Sequence, residues 1–448
     1  MNTTSSALKI ATKAKNHLKQ FNNCNILVIG ENPQAAFEQD IKNEFTRINY
    51  YLIGDEKLNI KETNVLYEVI YIDIHEPEKI LDLLGPALQN LKDYGVLAGN
   101  AYESLAKSKK FNPITAFANR FGFELQVEED GKNWHLIKAP IHTSFIIPAF
   151  NCAKTIEETI YSIVDGNLDV GDEIVVVNDG SSDATWTILE NLQSQYPCIK
   201  LVVHSKNRGG AYARNTAVEN TKNPLIFCLD SDNVLEKGSV KKLKAYCIEQ
   251  NADVAAFEKL YFFKTVKAEI THEWIFRAGL ITFADSLASE IIPISSGNYL
   301  YSRASWDIAN GYPLFSRALD AWGFGLRQLG TGQKMVVLEN TGYFHRYGHP
   351  SYWVREQSSG DTSKLALQLL APFINELEEE SVLYLFKQES RDCWFENLRK
   401  RPLKLMGQPH GIGGIALDPL GNDINLPEKE SPPKEKNTLE KLKSYFGI

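Results

Sequence analysis

The stretch IFCLDSDN, from Ile226 to Asn233, decides the fold of the part of the chain around it. It opens with apolar residues suited to a buried β-strand, and two carboxylates, Asp230 and Asp232, follow with one residue between them. Strand side chains alternate between faces, so both acids would point the same way if the strand continued. Such oxygen ligands suit Mg²⁺ or Mn²⁺ on a phosphorylated substrate, although Asp and Asn also favour plain turns.

The composition indicates a globular protein and excludes several classes. A chain of 448 residues exceeds one ordinary core, so two or three domains are expected, and a net charge of -8 argues against a nucleic-acid partner. The six cysteines form no CxxC pair, so no zinc site or disulfide framework is indicated. There is no signal-peptide pattern and no apolar run of about 20 residues that could span a bilayer. We therefore predict a cytoplasmic protein and leave peripheral membrane association open.

Strand-like and helix-like patterns alternate in two successive series, which predicts two parallel α/β sheets. In residues 1–140 the apolar runs CNILVIG, INYYLIG and YEVIYIDI indicate a Rossmann-like domain. In residues 141–360 the runs SFIIPAF, DEIVVVNDG, IKLVVHS and PLIFCLDSD indicate a second α/β domain. Residues 361–448 are predicted as a helical extension, a mobile linker rich in Pro, Lys and Glu, and a last short helix.

Polar residues that follow the strands of the second series form a candidate nucleotide site, because doubly wound sheets bind ligands at the carboxyl ends of their strands. These residues are Pro148, Phe150 and Asn151 after the first strand, Asp179 after the second, Arg214 beyond the glycines of NRGGAYARN, and Asp230, Ser231 and Asp232 after the fourth. An aromatic face suits a nucleobase, a guanidinium suits phosphate oxygens, and paired acids suit the metal on a diphosphate. The structural alternatives are core packing for Phe150, a turn former for Asp179 and a surface charge for Arg214.

The motifs IIPAFN, VVVNDGSSDAT, NRGGAYARN and LDSDN occur in the order typical of family 2 glycosyltransferases with the GT-A fold. The resemblance covers roughly residues 144–349. It implies transfer of a sugar from a nucleotide-sugar donor, most often a uridine diphosphate sugar, to a glycan or other hydroxyl acceptor. It also implies that Phe150 stacks on the base, Asp179 hydrogen-bonds the base edge, Asp230 lies near the ribose and metal, and Asp232 ligates Mn²⁺ or Mg²⁺.

The resemblance places the catalytic base in the segment GYPLFSRALDAWGFG. An inverting transfer needs a carboxylate that takes the acceptor's proton, whereas a metal or another cation stabilises the leaving diphosphate. The family's usual acidic pair is Leu319-Asp320 here, and Asp320 is the predicted base. Its structural alternative is the N-cap of the following helix. Residues predicted to border the donor sugar or acceptor are Ser296, Gly297, Asn298 and Trp322.

A histidine in NTGYFHRYGHP is predicted to complete the metal site, as it often does in this family. Imidazole suits Mn²⁺ better than Mg²⁺, and His345 is the favoured ligand. The alternatives are His349 or Arg346 facing the diphosphate, and a purely structural His345. The nearby aromatic residues would either stack on sugar rings or pack in the core; they are Tyr343, Phe344, Tyr347, Tyr352 and Trp353.

The first series resembles the middle of class I S-adenosylmethionine-dependent methyltransferases, over about residues 21–138. Such enzymes need a glycine-rich turn after the first strand, where the backbone approaches the cofactor. Here the turn VIGENPQAAF has Gly30 alone, with Pro33 where flexibility is needed. We therefore predict a methyltransferase-like but inactive domain that serves assembly or acceptor presentation. In this interpretation Asp55, Asp73 and His75 are turn and strand-end residues; the alternative is that Asp55 meets a ribose and Asp73 or His75 a substrate.

Two other function classes fit the same sequence. One is a methyltransferase whose second domain only recognises a glycan, and the other is a non-catalytic glycan-binding scaffold. Release of nucleoside diphosphate from a nucleotide sugar separates the glycosyltransferase from both.

Overall fold

The computed structural model describes residues 25–30, 47–52, 65–73, 77–100, 102–103, 112–129, 131–287, 293–348, 362–386 and 403–406. Several features singled out in the sequence lie outside these ranges. They are Cys24, Pro33, Asp55, His75, His349, Tyr352, Trp353, Cys393, the predicted linker and the predicted last helix.

Within the described ranges the first sheet has six strands, and most of them run parallel. In chain order they are β1 (Asn25–Gly30), β2 (Arg47–Leu52), β3 (Tyr67–Asp73), β4 (Leu91–Gly99), β5 (Leu125–Val127) and β6 (Trp134–Ile137). The spatial order is β2-β1-β3-β4-β6-β5, with β6 antiparallel to both β4 and β5. The three apolar runs predicted as strands are β1, β2 and β3, while the resemblance of this domain to methyltransferases stays a prediction. Helices α1 (Pro77–Asn90) and α2 (Pro113–Phe121) accompany the sheet.

The second sheet has ten strands in the described residues. Its parallel strands correspond to the four apolar runs that the sequence predicts as strands. The strands are β7 (Thr143–Ala149), β8 (Glu173–Asn178), β9 (Ile199–Val203), β10 (Leu225–Cys228), β11 (Val234–Leu235), β12 (Val254–Phe263), β13 (His272–Ile275), β14 (Gly279–Ile281), β15 (Leu300–Ser302) and β16 (Met335–Arg346). The order is β11-β16-β12-β15-β10-β7-β8-β9, with β13 on β12 and β14 on β16. Strands β10, β7, β8 and β9 are parallel, so their carboxyl ends share one edge.

Helices connect these strands and continue beyond them. They are α3 (Ile156–Val164), α4 (Thr185–Gln195), α5 (Gly210–Glu219), α6 (Ser239–Glu249), α7 (Phe283–Leu287), α8 (Arg303–Ile308), α9 (Asp320–Gly330), α10 (Thr362–Leu370) and α11 (Glu379–Phe386). Short 3-10 turns cover Pro293–Ser295, Arg317–Leu319 and Ala371–Glu376. None of the helices in the described ranges has the length and apolar character of a membrane span.

A close helix–helix contact joins the two sheets. A Cβ on Gly85 of α1 would lie 2.1 Å from the carbonyl oxygen of Glu249, at the end of α6. Beside it, Gln89 Nε2 donates a hydrogen bond to the carbonyl oxygen of Ala245 at 3.1 Å. At the end of α2, Arg120 Nε forms an ion pair with Asp253 Oδ1 at 2.7 Å. The first domain is therefore docked on α6 and the start of β12.

Replacement of Gly85 by alanine tests this docking. The added methyl group meets backbone atoms of α6 that cannot move aside cheaply, so we expect a loss of about 1–3 kcal/mol in stability and a lower thermal unfolding midpoint. The matched control is Lys242→Ala, at an exposed position of the facing helix α6, which should leave the midpoint nearly unchanged. Equal midpoints for the two variants would contradict the contact.

Candidate functional site

Polar loops at the carboxyl ends of β7 and β8 hold each other in place. Asn151 has a left-handed backbone, with φ 49°. Its Oδ1 accepts a hydrogen bond from the Ser182 N–H at 2.8 Å, and its N–H donates to Ser181 Oγ at 3.0 Å. Asp183 Oδ2 accepts from the Ala153 N–H at 3.2 Å. These bonds fix the two loops relative to each other, so the edge of the sheet is ordered before any ligand arrives.

Phe150 presents an exposed aromatic ring at this edge. Its side chain is 40% exposed, whereas the preceding Ala149 is buried and Pro148 is half-buried. An exposed aromatic face between two ordered loops suits a flat apolar ligand such as a nucleobase. The alternative that Phe150 packs in the core is therefore wrong.

Asp179 braces the loop between β9 and α5. The residue is 2% exposed, and its Oδ2 accepts from the Gly209 N–H at 2.8 Å, while the Arg208 N–H lies 3.0 Å from Oδ1. His204 Nδ1 lies 2.6 Å from the same Oδ1. In place of the open base-edge acceptor that the sequence predicts, this carboxylate organises backbone. Sequence reasoning missed His204, whose signal was its position directly after a strand of the same sheet edge.

Arg214 lies at the centre of the site, where it is 9% exposed. Its Nη1 lies 2.5 Å from Asp320 Oδ2, and its Nη2 lies 2.6 Å from Asp230 Oδ1. Burial alone would lower the pKa of this guanidinium, but the charges of Asp320 and Asp230 raise it well above its ordinary value. Arg214 is therefore a permanent cation shared by two acids, not a surface charge. In this structure its terminal nitrogens hold carboxylates, where the sequence predicts phosphate oxygens.

Asp320 is the first residue of α9 and is 6% exposed. Burial raises the pKa of its carboxyl, while Arg214 and the hydrogen bond from the Ala321 N–H, 2.8 Å from Oδ1, act in the opposite direction. The N-cap alternative is wrong, because the cap position belongs to Leu319. A buried carboxylate with a raised proton affinity beside a fixed cation has the properties of a general base.

The turn before β15 lies between Asp230 and the start of α9, where Asp320 is the first residue. Asn298 Nδ2 donates to Asp230 Oδ2 at 2.9 Å, and the Asp230 N–H donates to Asn298 Oδ1 at 2.7 Å. Gly297 has φ 72°, and a Cβ there would lie 2.8 Å from Ala321 Cβ. Ser296 Oγ closes the turn by donating to the Pro293 carbonyl oxygen at 2.8 Å. The structure thus brings the predicted segment between Asp230 and the start of α9.

The predicted metal ligands lie on neighbouring segments. Arg346 N–H donates to Asn233 Oδ1 at 3.0 Å, and Arg346 Nε donates to the Asp232 carbonyl oxygen at 3.1 Å, so the residues after β10 run beside the end of β16. In the part of the chain that the structure describes, no three His, Cys, Asp or Glu side chains converge into a metal cage. The guanidinium of Arg346 also binds Glu158 and lies 4.4 Å from the ring centroid of Phe263, and its alternative role at a diphosphate stays a prediction.

Two predicted contact residues lie in the core. Trp322 is 6% exposed because the apolar face of α9 carries it inward, and its contact with the sugar stays a prediction. Tyr343 is fully buried, and burial raises the pKa of its hydroxyl, with the charges of Asp230 and Asp232 acting in the same direction. Tyr343 therefore packs in the core and offers no stacking surface.

The family comparison agrees with this geometry. Residues 144–308 match the family described as Glycosyl transferase family 2. The match includes β7, β8, β9, β10 and α5, and thus Phe150, Arg214 and Asp230. Asp320 and His345 lie beyond the matched residues.

Two curated relatives are also named as glycosyltransferases. An uncharacterized glycosyltransferase of Bacillus subtilis, YfnE, is 32% identical over 133 residues, which are 29% of this chain and 34% of YfnE. The putative teichuronic acid biosynthesis glycosyltransferase TuaG of the same organism is 32% identical over 108 residues, which are 24% of this chain and 42% of TuaG. The chain thus spans between a third and a half of the length of these relatives.

Among solved structures, the crystal structure of S. aureus TarS 1-349 superposes with a TM-score of 0.46 and 21% identity. The superposition covers 57% of this chain and 73% of TarS 1-349. The similarity to glycosyltransferase family 2 thus covers residues 144–308.

Gly210 tests the central ion pair. A Cβ there would lie 2.7 Å from Arg214 Nη1 and 2.8 Å from Asp320 Oδ2, so only glycine leaves room for the pair. We expect Gly210→Ala to displace the Asp320 carboxylate. Turnover of nucleotide sugar should then fall by about tenfold or more, as it does in other enzymes when a catalytic group is misplaced by about 1 Å. Glu219→Ala, at the exposed end of the same helix, is the control and should keep wild-type turnover. Full activity of Gly210→Ala would show that the pair is not needed.

Proposed function

We propose that this chain is a metal-dependent, inverting glycosyltransferase with the GT-A fold, which moves a sugar from a nucleoside diphosphate donor to a hydroxyl acceptor. The observation that carries the proposal is the arrangement Asp230–Arg214–Asp320, in which the buried cation Arg214 lies between the buried Asp320 and the partly exposed Asp230. The family match of residues 144–308 and relatives such as TuaG support the reaction class.

The donor nucleotide, with uridine diphosphate as the first candidate, is assigned to the carboxyl ends of β7 and β8. Phe150 offers the exposed ring on which a base stacks. Asp179 contributes indirectly, because it fixes the Arg208–Gly209 backbone that borders the same edge of the sheet. The diphosphate then extends toward Asp230, which Asn298 holds in place.

Asp232 and His345 are the residues assigned to Mn²⁺ or Mg²⁺. The donor set fits such an ion, because Mg²⁺ is commonly held by one or two carboxylates together with substrate phosphates and waters. Asp232 and Asp230 carry two negative charges at this edge, and Arg214 supplies one positive charge that Asp320 shares. When bound, the cation would stabilise the charge of the leaving diphosphate.

The residues of the chain carry out the proton transfer. The acceptor hydroxyl oxygen forms a bond to the anomeric carbon, and the bond from that carbon to the phosphate oxygen breaks with its electron pair on the diphosphate. The hydroxyl proton passes to the Asp320 carboxylate. Arg214 and the Ala321 N–H favour the ionised form of this carboxylate, against the effect of its burial, and orient it before the transfer.

Replacement of Asp320 by asparagine separates the base from donor binding. With purified chain, Mn²⁺ and a panel of nucleotide sugars, we expect Asp320→Asn to lower turnover by about 10²–10⁴-fold, the usual contribution of a general base. Donor affinity, measured by calorimetry, should be retained in Asp320→Asn and lost in Asp232→Asn. Asp307→Asn, at an exposed site, serves as the control.

Three outcomes would count against parts of this account. A wild-type rate in Asp320→Asn would remove the base assignment. Metal-independent donor binding would remove the role of Asp232. The absence of nucleoside diphosphate release from every nucleotide sugar would overturn the proposed function as a whole.

A further inference from the structure

The strand β13 extends the second sheet beyond the turn that holds Asn298. The first half of β12 pairs with β15, with Val254 opposite Tyr301. The second half of β12 pairs with β13, where Leu260 lies opposite Trp274. β15 begins just after Asn298, so the turn that holds Asn298 lies beyond the end of β15. Past that point, β13 is the strand that pairs with β12 on this side of it.

The register shows which face of β13 borders the site. Leu260 lies opposite Tyr343 on one side and Trp274 on the other, so these three side chains share a face. Phe262, two residues further along the same face, lies opposite His345 with the ring centroids 4.9 Å apart, and the adjoining Arg346 Nε donates to the Asp232 carbonyl oxygen at 3.1 Å. Trp274 therefore stands on the same face as the candidate site, at its outer border.

The next row of the sheet completes an aromatic shelf, which we define as Phe262, His272, Trp274 and Tyr347. Phe262 is buried at its centre, with the His272 ring stacked on it at 4.3 Å and 10°. The Trp274 ring lies 4.9 Å from Phe262 and the Tyr347 ring 6.1 Å from it, both near perpendicular. His272 is exposed, and Trp274 and Tyr347 are half-buried.

The chemistry of the shelf suits a carbohydrate. Aromatic faces carry partial negative charge and attract the C–H groups on one side of a pyranose ring. Among the described residues the Trp274 indole N–H donates no hydrogen bond, so it is available for a sugar hydroxyl. Three strand spacings separate β12 from β7 in the sheet, or about 14 Å, so the shelf is too distant to share the nucleobase held at Phe150.

We propose that the aromatic shelf is the acceptor subsite, and that it stacks on a pyranose ring of a glycan acceptor. The proposal rests on the proposed function and deepens it, since it names a carbohydrate among the hydroxyl acceptors. Trp274 is the residue that makes the largest contact and determines this specificity.

The test measures saccharide binding to the full chain by saturation-transfer NMR, with cellotetraose, maltotetraose and chitotetraose as probes. We expect transfer to at least one probe in the wild type, its loss in Trp274→Ala and its retention in Trp274→Phe. Ile275→Ala is the matched control, because it is the exposed neighbour on the opposite face of β13. In turnover assays, Trp274→Ala should raise the acceptor KM by about tenfold, the size of one good aromatic contact. Donor hydrolysis without acceptor should not change.

The outcomes separate this proposal from the proposed function. Saccharide binding that is equal in Trp274→Ala and wild type, or absent for every probe while donor hydrolysis is intact, overturns the shelf alone. If Trp274→Ala loses donor hydrolysis and gives the circular dichroism spectrum of an unfolded chain, Trp274→Phe becomes the deciding variant. Saccharide binding by Trp274→Phe that equals that of the wild type then supports the shelf. Trp274-dependent saccharide binding without any nucleoside diphosphate release supports the shelf and overturns the transferase.

Discussion

A single buried guanidinium holds the candidate site together. Arg214 reaches Asp230 at the end of β10 and Asp320 at the start of α9, two positions that are remote in sequence. Removal of one partner from a buried charge pair costs about 3–5 kcal/mol, because the remaining charge stays out of water. The contact therefore constrains where α5, α9 and the end of β10 lie. Gly210 leaves the space that the ion pair occupies, since a Cβ there would overlap both of its members.

The same contact links the two chemical tasks of the proposed reaction. Asp230 belongs to the donor side, and Asp320 is the acid that receives the acceptor's proton. Burial raises the pKa of the Asp320 carboxyl and Arg214 acts in the opposite direction, with burial the larger effect, so the carboxylate has a raised affinity for a proton. One positive charge for two acids leaves local negative charge, which a cation carried in with a diphosphate would balance.

The sequence predicts the strands well and the partners of the polar side chains poorly. The central residues of β7 and β8 and all of β10 are apolar because both faces of the sheet are covered, and this pattern is readable without a structure. The carboxyl ends of these strands then indicate which residues meet. The partner of Arg214 is not readable, because phosphate and carboxylate suit a guanidinium equally well. Trp322 and Asp179 were assigned to ligands for the same reason: residue type shows what a group can bind, and only packing shows what it does bind.

The most direct test of the central claim is a comparison of thermal unfolding midpoints for Arg214→Met and for the triple variant Arg214→Met/Asp230→Asn/Asp320→Asn. If Arg214 compensates two acids, Arg214→Met leaves both carboxylates without their cation and lowers the midpoint sharply. Neutralising the acids as well should recover much of that loss. A triple variant that is no more stable than Arg214→Met would contradict the account, because it would mean that the three charges do not depend on one another.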